Sequence, residues 1–166
     1  MDDFLDYTKI KIQTDEIDMV MLLEEIEASL QSLFVEKSVQ AIFYLSEDEI
    51  YLEADFNRLK QVIINLLKNA IEAKDETKES SEIVVGLTKT ENNLQISIQD
   101  NGVGMIEEEL THVIDMFFTT KTKGSGLGVS LSKEIIELHH GKLEYFSKKG
   151  EGTEVRLTLP LTLDVA

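Results

Sequence analysis

The run Leu94-Gln95-Ile96-Ser97-Ile98-Gln99 alternates strictly between apolar and polar side chains and leads straight into Asp100-Asn101-Gly102-Val103-Gly104-Met105. A strand repeats every two residues, so Asp100 falls on the same face as Leu94, Ile96 and Ile98, the buried one. A carboxylate there needs donors, because an ion desolvated without partners costs several kcal/mol or loses its charge. Further on, Gly124-Ser125-Gly126-Leu127-Gly128 opens a helix-like segment, and five of the nine glycines lie between Gly102 and Gly128. Free N–H groups at a helix start favour phosphate, and glycines let a ligand approach the backbone. The two clusters together read as a nucleotide site. An Asp capping the turn after a strand is the alternative for the first cluster taken alone.

The rest of the chain bounds the fold. With 166 residues, 42% of them apolar, it fits one domain with its own core. Cysteine is absent, and nothing reads as a secretion signal or a membrane span, so a cytoplasmic location is expected. A formal charge of −16 repels nucleic acid and anionic membrane surfaces. An anionic ligand then has to be held by a metal ion, a helix N-terminus or a few lysines.

Periodicity places the elements. Lys9 to Gln13, with Ile10 and Ile12 on one face, suits a strand, and a helix follows from about Asp18 to Glu36, with a cap among Asp15 to Asp18. Val39 to Leu45 and Glu49 to Glu53 read as two strands of a hairpin around Ser46-Glu47-Asp48. Asp55 caps the strongest helix, Phe56 to about Lys74, whose apolar stripe is Leu59, Val62, Ile63, Leu66 and Ala70. Strands Ile83 to Thr88 and Leu94 to Gln99 meet across Asn92-Asn93. A last helix runs from about Val129 to His139 and ends at Gly141, and two final strands, Lys142 to Ser147 and Thr153 to Leu159, flank Gly150-Glu151-Gly152.

Asn65 and Asn69 are four residues apart, on one helical face beside the apolar stripe. Two amide oxygens there can ligate a hard cation such as magnesium, provided that phosphate and water complete its shell. Local hydrogen bonding at the helix edge is the alternative. Met116-Phe117-Phe118-Thr119-Thr120-Lys121-Thr122-Lys123 carries lysines and hydroxyls suited to polyphosphate and reads as a lid, or else as a helix end with two core phenylalanines.

Taken in order, Asn65-Leu66-Leu67-Lys68-Asn69-Ala70-Ile71-Glu72-Ala73, Asp100 to Met105, Phe117-Phe118-Thr119-Thr120-Lys121 and Gly124 to Gly128 resemble the N, G1, F and G2 boxes of sensor histidine kinases. Residues 9–162 are thereby identified as a catalytic ATP-binding domain. The resemblance is closest to kinases of spore-forming bacteria such as the sporulation kinases. It implies an α+β two-layer sandwich, the Bergerat fold, with a mixed and mostly antiparallel sheet, helices on one face and an ATP lid. It further implies ATP and Mg2+ as ligands. Asn69 is then the principal metal ligand, assisted by Asn65, and Asp100 reads the adenine amine. Gly102, Gly104, Met105 and Thr153 line the base pocket. Phe118, Thr119, Thr120 and Lys121 belong to the lid, Gly124 opens the second glycine cluster near the phosphates, and Lys121 and the backbone of Gly126, Leu127 and Gly128 meet the phosphates. Asn65, Asn69 and Lys121 form the catalytic set.

ATP-hydrolysing relatives of this fold carry Glu where Asn65 stands. Asn cannot take a proton from water, which suits phosphoryl transfer to a histidine better than hydrolysis. The family's phosphoacceptor box, a His followed by an acid on a dimerising hairpin, has no counterpart in this chain. His112 precedes the lid, and His139-His140 closes a helix, where cationic side chains suit the dipole. Residues 1–8 resemble the end of the hairpin's second helix. The resemblance therefore implies a protein histidine kinase domain cut from a longer kinase, membrane-anchored or not. Its partners are then the hairpin of the same kinase and, indirectly, a response regulator, and the isolated domain is a monomer. A serine kinase of the anti-sigma-factor type and a nucleotide-sensing docking module are the rival readings.

Overall fold

The computed structural model describes residues 10–113 and 126–162. Helix α1 (Met19–Glu36) is capped by Asp18, whose Oδ1 accepts the Val20 N–H at 3.0 Å. Its buried stripe is Met19, Val20, Leu22, Leu23, Ile26, Leu30 and Phe34. Helix α2 (Phe56–Glu72) starts at Asp55, whose Oδ1 accepts the Arg58 N–H at 3.1 Å, and the five predicted stripe residues are all buried together with Leu67 and Ile71. A short helix α3 (Glu107–Val113), none of whose residues is buried, carries Glu107, Glu108 and Glu109 in its first turn, where carboxylates suit the helix dipole. Helix α4 spans Gly126–Leu138.

Five strands, β2 (Val39–Tyr44), β4 (Ser81–Lys89), β5 (Asn93–Asp100), β6 (Lys142–Lys148) and β7 (Gly152–Pro160), form one sheet in the order β2-β4-β5-β7-β6. Only the β2–β4 pair is parallel. Ile83 and Val85, Leu94, Ile96 and Ile98, and Val155, Leu157 and Leu159 point to one face, and all are buried in one core with the stripes of α1 and α2. Glu82, Gln95, Gln99 and Arg156 alternate onto the opposite, more open face. The result is the expected two-layer α+β sandwich. Asp100 pairs with Ile83 on β4 and Thr153 on β7, at the end of the central strand and on the helix-covered face.

The structure corrects three expectations. The expected hairpin does not form: β2 lies at one sheet edge beside β4, while β3 (Tyr51–Ala54) pairs antiparallel with β1 (Asp15–Asp18) in a separate ribbon. The Met19 N–H donates to the Ile50 carbonyl at 2.8 Å, which draws the start of β3 to the start of α1 and away from β2. Among residues 10–13 there is no strand. Gln13 instead donates its N–H to Asp55 Oδ2 at 2.7 Å, and pairing begins only at Asp15. Finally, α4 starts three residues before Val129, and its end is reversed by His140, at φ +60°, rather than by Gly141. The Gly141 N–H returns to the Ile136 carbonyl and that of His140 to Glu137, both at 2.9 Å, in a Schellman arrangement. Gly141 is required for a different reason: a Cβ there would stand 2.3 Å from the Thr158 carbonyl oxygen.

Candidate functional site

Two loops from opposite sides clamp the turn after β5. On one side, Val103 donates its N–H to the carbonyl of Ala73, the C-cap residue of α2, at 2.8 Å. On the other, the Gly150 N–H reaches the Val103 carbonyl at 2.7 Å, and the Met105 N–H reaches Ser147 Oγ at 2.9 Å. Ser147 Oγ donates its single proton to the Gly152 carbonyl at 3.0 Å, so in its 2.7 Å contact with Thr153 Oγ1 the threonine is the donor. The glycines at this crossing are dictated by the protein's own backbone. A Cβ on Gly102 would lie 2.2 Å from the Ala73 oxygen, and one on Gly104, at φ +69°, would lie 2.1 Å from the Lys148 oxygen.

Asp100 sits at the centre of this crossing and is only 8% exposed. Its Oδ1 accepts the N–H of Gly102 at 2.8 Å and the N–H of Thr153 at 3.2 Å. Oδ2 accepts no hydrogen bond from the described residues. Burial pushes the carboxyl above its ordinary range, while the two N–H donors and the Lys78 ammonium pull it back. The donors that a buried carboxylate needs are thus supplied at Oδ1 by two protein N–H groups, and Oδ2 is left with acceptor capacity.

Asn65, Asn69 and Ala73 follow one another at intervals of four along α2 and therefore share one face. Because Ala73 touches the Asp100 turn, this face carries Asn69 roughly 6 Å and Asn65 roughly 12 Å along the axis from it. Both side chains are half-buried, and neither amide hydrogen-bonds to a described residue. Neutral amide oxygens one turn apart, without partners among the described residues, suit a hard cation that keeps phosphate and water in its shell. Among the described residues no cluster of His, Asp or Glu could hold a metal instead.

Gly126, Leu127 and Gly128 form the first turn of α4, so their backbone N–H groups belong to a helix start. Phe118, Thr119, Thr120, Lys121 and Gly124 lie outside the described residues, as do residues 1–8. The structure also corrects the reading of His139 as a cation at a helix end. It is 1% exposed, and its Nε2 accepts the Asp55 N–H at 3.0 Å, while Nδ1 lies 2.8 Å from the Ile135 carbonyl. A backbone amide can only donate, so the ring is neutral with its proton on Nδ1.

Sequence reasoning missed Lys78 and Ser147. Lys78 Nζ donates to the carbonyls of Asn101 at 2.7 Å and Gly102 at 3.4 Å. The lysine lies in a charged loop and Ser147 in a strand, and neither stands in a periodic pattern that would single it out. Among the described residues no helix is long and apolar enough to cross a membrane.

This geometry can be set beside known proteins. A model of the histidine kinase-, DNA gyrase B- and HSP90-like ATPase family matches residues 54–163. Sporulation kinase A of Bacillus subtilis (strain 168) is 34% identical over 144 residues, which cover 87% of this chain and 22% of that protein. The chain thus spans about a fifth of that relative's length. The nucleotide-free catalytic domain of the histidine kinase ThkA matches with a TM-score of 0.81 at 29% identity, covering 92% of this chain and 99% of that domain. ThkA in complex with the response regulator protein TrrA gives a TM-score of 0.80 at 25% identity, over 99% of this chain and 47% of that one. On the family match over residues 54–163 and these likenesses, the chain belongs to the histidine kinase-, DNA gyrase B- and HSP90-like ATPase family, as a catalytic domain of the sensor histidine kinase type.

Proposed function

We propose that this domain binds ATP with Mg2+ and passes the γ-phosphoryl group to a histidine on a helical hairpin of the same kinase, from which a response regulator takes it. The observation that carries this reading is the buried residue Asp100, whose Oδ2 accepts no hydrogen bond from the described residues, beside the C-terminal end of the helix face that bears Asn69 and Asn65. An adenine N6 amine supplies the missing donor, and Gly102, Gly104, Met105 and Thr153 surround the base. Asn69, assisted by Asn65, holds the metal, which when bound neutralises charge on the β- and γ-phosphates. The N–H groups of the Gly126 to Gly128 turn favour the phosphates, and by the resemblance Phe118, Thr119, Thr120, Lys121 and Gly124 contribute to the same nucleotide site.

The transfer itself needs little beyond positioning and charge neutralisation. A neutral imidazole nitrogen attacks the γ-phosphorus, the phosphorus–oxygen bond to the β,γ-bridging oxygen breaks, and ADP leaves. Asn65 is an amide and cannot serve as a base for water, so histidine competes well with hydrolysis. Residues 9–162 form this domain, and residues 1–8 belong to the hairpin. By the likeness to ThkA with TrrA, the response regulator is the indirect partner.

The test mixes the chain with γ-labelled ATP, magnesium and the hairpin of its own kinase. Label on the hairpin that is lost in acid and survives alkali supports the reading. Label that survives acid marks a serine kinase, and tight ATP binding without transfer marks a sensing module.

A further inference from the structure

The Asp100 turn is fastened on one side by the loop between α2 and β4, residues 73–80, and the fastening is charged. Asn101 uses both ends of its amide: Oδ1 accepts the Glu82 N–H at 2.8 Å, and Nδ2 donates to the Ser80 carbonyl at 3.0 Å. Val103 binds the Ala73 carbonyl. The Asn101 and Gly102 carbonyls that remain converge on one ammonium, Lys78 Nζ. Hydrogen bonds from a charged donor are stronger than neutral ones, and two carbonyl dipoles aimed at one cation fix it over the turn.

We infer that Lys78 is a positioning residue for the base end of the nucleotide site: its ammonium holds the Asn101-Gly102 carbonyls, and through them the orientation and charge of the Asp100 carboxylate. The inference rests on the reading of Asp100 as the adenine acceptor. In a chain of net charge −16, a cation at this corner matters more than its half-exposed position suggests. The groups that face Asp100 are the N–H of Gly102, the N–H of Thr153 and Lys78. Lys78 also acts on Asp75, which is bound by Thr77 N–H and Oγ1 and whose anion Lys78 and Lys149 both favour. Lys78 thus favours the anions of two carboxylates, Asp100 and Asp75, and its removal leaves both less compensated.

The experiment measures ADP affinity between pH 5 and 8 for the wild-type domain and for Lys78→Met, Lys78→Arg and Asp100→Asn. Lys78→Met is expected to weaken ADP roughly fivefold at pH 7. It should also move the acid-side loss of affinity to higher pH, because the carboxylate loses a compensating charge. Lys78→Arg should restore both. Loss of affinity in Lys78→Met with an unmoved pH profile, or wild-type behaviour at every pH, overturns the inference. Asp100→Asn separates the two claims. If it binds ADP like the wild type, the adenine reading fails; if it loses ADP while Lys78→Met does not, only the role of Lys78 fails.

Discussion

His139 accepts the backbone N–H of Asp55 at 3.0 Å, although the two residues are 84 positions apart. This one bond joins the end of α4, whose first turn is the Gly126 to Gly128 cluster, to the start of α2, which bears Asn65 and Asn69. The carboxylate of Asp55 adds two more ties, to Arg58 N–H in α2 and to Gln13 N–H in the segment that leads into β1. Both helices of the proposed nucleotide site are thereby anchored at the ends remote from it.

His139→Ala should therefore be costly. It opens a cavity in a site that is 1% exposed and leaves a buried N–H without an acceptor, for a combined loss of about 2–4 kcal/mol. Urea denaturation checks this; a loss below about 1 kcal/mol would mean that water replaces the ring at no cost.

Glycine substitutions separate close approach from ordinary turn preference. Gly102→Ala has to displace the Ala73 carbonyl from a 2.2 Å contact and should both destabilise the fold and remove nucleotide binding. Gly86→Ala meets nothing closer than Ser97 Oγ at 3.8 Å and should be neutral or stabilising by up to about 1 kcal/mol. Thermal melts with and without ADP compare the pair. Equal effects would contradict the packing account.

The amide face of α2 predicts a metal-dependent loss. Asn69→Ala should weaken Mg-ATP at least tenfold, about 1.4 kcal/mol, and metal-free ATP far less. Calorimetric titration with and without magnesium decides it, and equal losses would contradict the ligand assignment.

Asp100 gives the stability of the fold a pH signature. Burial raises its carboxyl above the ordinary 3.8, so in the window above that value the folded chain binds more protons than the unfolded one. In this window the Asp100 contribution to stability falls as pH rises, the reverse of a salt-bridged carboxylate. Nucleotide binding moves the opposite way, because the acceptor is lost on protonation. Asp100→Asn should flatten this part of the stability profile, and an unchanged profile in urea melts at several pH values would assign it to other groups.

Much of this was legible in the sequence where the signal is local. The Asp55 cap, the Leu59 to Ala70 stripe and the side of the sheet on which Asp100 falls all follow from periods of 3.6 and two within a few residues. The pairing of β2 with β4 instead of β3 is decided by contacts across some forty residues of chain, such as Val39 with Ser81, and no local pattern carries it. The same holds for His139, Ser147 and Lys78. Each is defined by a carbonyl or N–H brought to it by the fold, and backbone groups leave no mark in the sequence.

The central claim is that a buried carboxylate reads the base. Calorimetric titration of ADP and GDP into the wild-type domain and into Asp100→Asn tests it most directly. The substitution is isosteric and keeps an oxygen for the Gly102 and Thr153 N–H groups, so a circular dichroism spectrum should confirm an unchanged fold. The account predicts that the wild type binds ADP and rejects GDP, and that folded Asp100→Asn loses ADP by a hundredfold or more, about 3 kcal/mol. A folded Asp100→Asn domain that binds ADP like the wild type would contradict it.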